Sequence, residues 1–382
     1  MSSPWASWLP PELFGGLGEV VRIRSRTFDR NITMKVNVTK RRPSALIWSI
    51  LAAFISIGVI YLVFRNLDIE RLTRVLLKAE GIWIVALAFS IPLEQILRGW
   101  KWRQILYDIR PVGIIRLFGA VMVGYFANII VPVGVSPFVR AWLVARLEGL
   151  KIATVLLTTA IERFVDGIVF AILVGILIAF ATLPASEGNL RLGMITAGGG
   201  SFLLFSGLFV ILFAFKKHLF DTTSLIGRSV ARLELAYESK LSGLGSNLAH
   251  GITWPKSYWR GAGVILASIG MKLISITHFL WAGLAFGVVL APFEYLFIMV
   301  FSGFALIISR FIRLPGGGVI GAAFALKLLG VADEDTLTMV LLVHTASLSL
   351  TAGIGIIALW KSGLTVMTLR QDLSRQGAEA HE

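Results

Sequence analysis

NIIVPVGVSPFVRAWLVARLEGLKIATVLLTTAIERFVD, from Asn128 to Asp166, breaks an apolar run at Pro132 and Gly134, resumes for roughly a dozen helix-forming residues, and stops at Gly149. A helix of that length covers about 20 Å at 1.5 Å per residue, against about 30 Å of membrane hydrocarbon. It can enter a bilayer and turn back, but it cannot cross. Irregular backbone at that depth must be buried in protein or line a water-filled cavity, because lipid cannot satisfy its N–H and C=O groups. The longer apolar run that follows carries Glu162, Arg163 and Asp166 about ten residues in, where an ionisable group is costly unless it faces a bundle interior or water.

A second stretch repeats the pattern. PGGGVIGAAFALKLLG (315–330) opens on Pro315, Gly316, Gly317 and Gly318, gives a short helix and closes on Gly330, as PVGVSPFVRAWLVARLEG (132–149) closes on Gly149. Position fourteen after the closing glycine is Arg163 in one copy and His344 in the other. Internal repeats of this kind are common in transporters. Around them lie apolar runs at 45–64, 82–98, 114–131, 152–180, 193–215, 261–290, 292–310 and 336–360. The expectation is an all-α polytopic membrane protein of eight spans and two re-entrant helices (132–149 and 315–330). A basic cytoplasmic segment (1–44), a membrane domain (45–360) and a polar tail (361–382) make up its length. That count places both re-entrant elements at the outer face as parallel repeats. It also puts the basic loop 216–260 outside, against the tendency of cytoplasmic loops to carry the Lys and Arg.

Composition agrees with a membrane setting: 56% of the 382 residues are hydrophobic and 15% charged, and mean hydropathy is +0.80. The formal charge of +14 sits at the N-terminus and in loops, which suits anionic phospholipid better than nucleic acid. With no cysteine, neither disulfides nor thiolate metal sites are possible. Zincin, nucleophile-elbow and Walker motifs are missing, so no cofactor, metal or nucleotide hydrolysis is expected.

Charged residues in apolar runs nominate the site. Glu94 and Arg98, four apart, can close as a helix-end pair with Arg98 reaching the interface, or turn inward. Glu162 and Asp166 share a helix face and outnumber Arg163; Arg140 of the first short helix is the candidate partner. In the second copy Arg310, Arg313, Lys327 and His344 surround the glycine-rich break, where backbone N–H groups and guanidinium suit phosphate. Gly316, Gly318 and Gly321 match a dinucleotide fingerprint only in letters, with no strand before them. A purely structural ion network and close small-residue packing are the competing readings of these features.

Asn128, Pro132, Arg140, Gly149, Glu162, Arg163 and Asp166, with LRGWKWRQIL around Arg98 and the PGGG and LLGV segments, resemble the lysylphosphatidylglycerol synthase transmembrane region. This flippase-like family includes the membrane part of the multiple peptide resistance factor. The resemblance covers about residues 45–360. It implies an eight-span bundle with two re-entrant helices, and movement of polar-headed lipids between leaflets of the inner membrane. Family members that make aminoacylated lipid carry a soluble transferase domain after the bundle. Only about twenty residues follow the last run here, so a transporter rather than an enzyme is expected. Ser136 and Pro137 stand where the family usually has Gly-Glu, Gly321 where Glu is frequent, and His344 where Arg is common. Fewer carboxylates favour an anionic or neutral headgroup. The alternatives are a transporter of a small soluble anion and a membrane enzyme acting on a lipid-linked substrate. The partners expected are membrane lipid and, as further candidates, lipid-synthesis enzymes.

Overall fold

The computed structural model describes residues 77–130, 134–180, 188–219, 250–311 and 316–362, with positions 70, 74 and 248. The basic segment 1–44, the span at 45–64, Pro132, Arg313, Pro315, most of the 216–260 loop and nearly all of the C-terminal tail lie outside the described residues.

Among the described residues there are nine helices and no strands: α1 Gly81–Leu106, α2 Ile114–Ile130, α3 Ser136–Glu148, α4 Ile152–Phe180, α5 Gly188–Leu219, α6 Tyr258–Ala285, α7 Pro292–Phe311, α8 Gly317–Leu328 and α9 Asp333–Lys361. Six of them (α1, α4, α5, α6, α7 and α9) contain stretches long and apolar enough to cross a membrane. The chain is therefore a multi-pass membrane protein. The first apolar run beyond span one continues to Leu106 rather than stopping at 98. The charges that seemed to end it are buried against acids from α4, so the helix has no reason to stop there.

The two short stretches fold as α3 and α8, of 13 and 12 residues. Each is bracketed by glycines with positive φ, Gly134 (73°) and Gly149 (66°) around α3, Gly316 (78°) and Gly330 (78°) around α8. A residue with a Cβ is disfavoured in that left-handed conformation, and glycine is the residue that turns the chain there at little cost. Each short helix lies antiparallel along the helix before it. In the first pair the Ser136 N–H donates to Asn128 Oδ1 at 2.8 Å, and a Cβ at Gly124 would lie 2.9 Å from the Ser136 carbonyl oxygen. At the far end Glu148 reaches Arg116 near the start of α2 at 2.9 Å. In the second pair Ser302 Oγ donates to the Gly318 carbonyl at 2.9 Å, Gly321 packs on Ala305, and Phe301 stacks on Phe324.

The two hairpins point in opposite directions, which overturns the parallel arrangement. α1 and α6 run antiparallel: Trp83 stacks on Trp281 (5.6 Å between centroids) at one end, and Asp108 holds Arg260 at 3.4 Å at the other. The first hairpin leaves and regains the Asp108 end, since α2 follows α1 there and Glu148 closes back on Arg110 and Arg116. The second leaves and regains the Trp83 end, where α6 finishes and the Glu80 N–H donates to the Ala285 carbonyl. Runs 114–131 and 292–310, read from hydropathy as spans, are thus the longer arms of these hairpins.

Candidate functional site

Four helices bring their charged side chains to one buried cluster. Arg98 on α1 contacts Glu94 (3.0 Å), Asp166 (3.4 Å) and Glu162 (3.7 Å). Lys101, one turn further along, contacts Asp166 at 2.5 Å and Glu162 at 3.6 Å and has no exposed surface. From α3, Arg140 places Nη2 2.7 Å from Glu162 Oε2. On α6, Lys101 meets Ser268 Oγ at 3.4 Å, Lys272 interacts with the charge of Asp166, and His278 Nε2 lies 3.9 Å from Glu94.

Local sequence explains the convergence. Glu94, Arg98 and Lys101 are spaced four and three apart, so they share one face of α1, as Glu162 and Asp166 share one face of α4. Glu162 lies ten residues past Ile152, about 15 Å along the helix axis. Arg140 is set by its hairpin: Pro137 starts α3, a position where its missing N–H costs nothing. Glycine at 124 lets the backbones close beneath it. Its guanidinium stands 4.9 Å over the Trp102 ring, and the Trp102 Nε1–H donates to Thr158 Oγ1 at 3.0 Å. The aromatic face favours the cation, and the indole has its own partner.

The balance of charge is uneven. Glu94, Glu162 and Asp166 face Arg98, Lys101, Arg140 and Lys272, and Arg163 adds another base beside Arg140. Among the described residues no acid pairs with Arg163, and its Nε is buried without a hydrogen-bond partner. It follows Glu162 by one residue, which turns it about 100° away from the acid face.

Of the residues nominated by sequence, Arg98, Arg140, Glu162 and Asp166 meet in this cluster and Arg163 adjoins it. Arg98 turns inward rather than serving as a helix-end pair. Lys327 pairs with Asp333 at 3.0 Å, tying the end of α8 to the start of α9, and His344 is exposed on α9. Lys101, Lys272, Ser268 and His278 were not foreseen. The signal for Lys101 was its place three residues after Arg98; for Lys272, a lone lysine between Met271 and Leu273 in an apolar run. Among the described residues no group of three or more His, Asp or Glu is placed to hold a metal ion.

The family model described as "Lysylphosphatidylglycerol synthase TM region" matches residues 49–355. The chain belongs to that family. No curated protein and no solved structure matches it. The family's match takes in both hairpins and every member of the charge cluster.

Proposed function

We propose that this member of the lysylphosphatidylglycerol synthase transmembrane-region family moves a polar-headed, anionic or neutral lipid between the leaflets of the inner membrane, as a transporter rather than an enzyme. The headgroup enters the cluster and the acyl chains stay in apolar surroundings outside it. One observation carries this reading: the cluster holds more bases than acids at mid-helix depth, with Arg163 left over beside Arg140. A purely structural network has no use for surplus charge, which costs a few kcal/mol at that depth. A phosphate would neutralise it, and guanidinium forks suit its oxygens.

The proposal includes a topology. A hairpin returns the chain to the end it left, so α1, α4, α5, α6 and α9, with the run at 45–64, make six crossings. The two hairpins are re-entrant elements of inverted repeats. The Asp108 end carries Arg110, Arg116, Lys151, Lys216, Lys256 and Arg260, while the Trp83 end carries Glu80, Glu294, Asp333, Glu334 and Asp335. The first is then cytoplasmic by the distribution of Lys and Arg. Six crossings keep the basic N-terminal segment and the 216–260 loop on that side, removing the conflict an eight-span count creates.

The test is transport in proteoliposomes by Arg140→Lys and Arg163→Lys. Both keep the charge and lose the fork, so lipid movement is expected to fall sharply while the melting temperature holds. Wild-type lipid movement by both variants would end the claim that these arginines grip a phosphate. Movement of glycerol phosphate in place of lipid would assign the site to a soluble anion.

A further inference from the structure

An apolar pocket of about 530 Å³ lies beside the charge cluster, on an adjoining face of α4. Ile168 and Ile172 of α4, Phe209 and Phe213 of α5, and Ile265 of α6 form its walls, with Trp254 at one end. α5 packs along α4 and leaves a cleft between itself and α6. Ile172 and Ile265 are 49% and 44% exposed, so the cleft opens sideways from the bundle. Its floor is Val165 and Val169, both buried in a small core with Val264 and Ile105. Asp166 follows Val165 directly, and Ser268, which faces Lys101, follows Ile265 by three residues. One layer of side chains separates an apolar pocket from a charged one.

We infer that this pocket is an acyl-chain site, holding one tail of the lipid whose headgroup reaches the charge cluster on its Asp166 side. The inference rests on the lipid reading proposed above. The occupant is an alkyl chain because the wall offers almost no polar surface, the mouth faces sideways where bilayer hydrocarbon lies, and the volume is in the range of sites that enclose a small ligand. A charged headgroup beside it supplies the other half of an amphipathic ligand. A soluble anion would have no use for the pocket.

Photo-crosslinking tests the site. The full chain is reconstituted in phosphatidylethanolamine vesicles containing phosphatidylglycerol with a diazirine at the end of one acyl chain. After irradiation, adducts are mapped by peptide mass spectrometry. Ile168, Ile172, Phe209 and Phe213 are expected to label several-fold more than Leu203, Val210 and Ile211, which are exposed elsewhere on α5. Ile265→Trp, at a half-open rim position, should suppress the pocket adducts several-fold without lowering the melting temperature. Even labelling around α5 in the wild-type protein overturns the site and needs no variant. So do pocket adducts that persist undiminished in folded Ile265→Trp. The two readings fail separately: pocket adducts without transport in proteoliposomes keep the acyl site and remove the transport function, whereas transport with even labelling removes the acyl site alone.

Discussion

Six residues beyond Gly134 the first hairpin carries Arg140, and six beyond Gly316 the second carries Ala322; both are buried. The frames around them are alike: an apolar arm, a left-handed glycine, a short helix packed back through glycine and serine, and a second left-handed glycine. Their contents differ. Where the first hairpin leads into Glu162 and Asp166 on α4, the corresponding stretch of α9 has no acid, and His344 is exposed. The second hairpin shows that this architecture closes without a buried charge in its middle. Arg140 is therefore not needed to make a hairpin, and its presence calls for a different account.

The comparison breaks first on direction. The protein has no native cysteine, so single cysteines at Lys151 and Ala332 report the open ends of the two hairpins. They are expected to label from opposite faces of the membrane, with Lys256→Cys on the Lys151 side. Labelling of both hairpin ends from one face would restore the parallel arrangement.

Next comes charge. Arg140→Ala leaves Glu162 short of its nearest base and should cost about 3–5 kcal/mol, read as lost thermal stability in detergent. Ala322→Arg should cost at least about as much, because no acid waits for it among the described residues of α9 beyond the first turn. A well-folded Ala322→Arg protein would mean the second hairpin also tolerates charge and that the contrast is accidental.

Smaller effects test the shared frame. Asn128→Ala removes the acceptor of the Ser136 N–H at the first hairpin's tip, and is expected to cost about 1–3 kcal/mol. Ser302→Ala removes the hydroxyl bond to the Gly318 carbonyl in the second and should cost about 1 kcal/mol. Both are measurable as melting shifts at constant detergent, and a larger loss from Ser302→Ala would reverse the expected order.

The short helices were legible because Pro and Gly punctuate them and their length is set by arithmetic. Direction was not, since hydropathy measures how long an apolar run is and says nothing of where its partner returns. α2, with 17 residues, and α7, with 20, look like spans until α3 and α8 are seen folded along them. The basic 216–260 loop, outside in an eight-span count, falls on the basic side of the six crossings proposed above. For the site, the cost of burying charge singled out Arg98, Arg140, Glu162 and Asp166. Lys101 was hidden in LRGWKWRQIL, where a cation reads as the edge of a membrane. Lys327 was nominated as a base near the second glycine-rich break, yet at the hairpin's base it answers to Asp333.

α5 contributes little to the interior: its apolar positions at Leu203, Val210 and Ile211 are all exposed, and it leans mainly on α4. Its consequence is one of parity. On the six crossings proposed above, the α1–α4 unit crosses twice and so brings the chain back to its starting side; a second unit joined directly to it would have the same orientation. One extra helix makes the number odd and turns the second unit upside down. On that topology a peripheral helix with almost no core of its own decides which way half the molecule faces, and a chain lacking it would be built from two units facing alike.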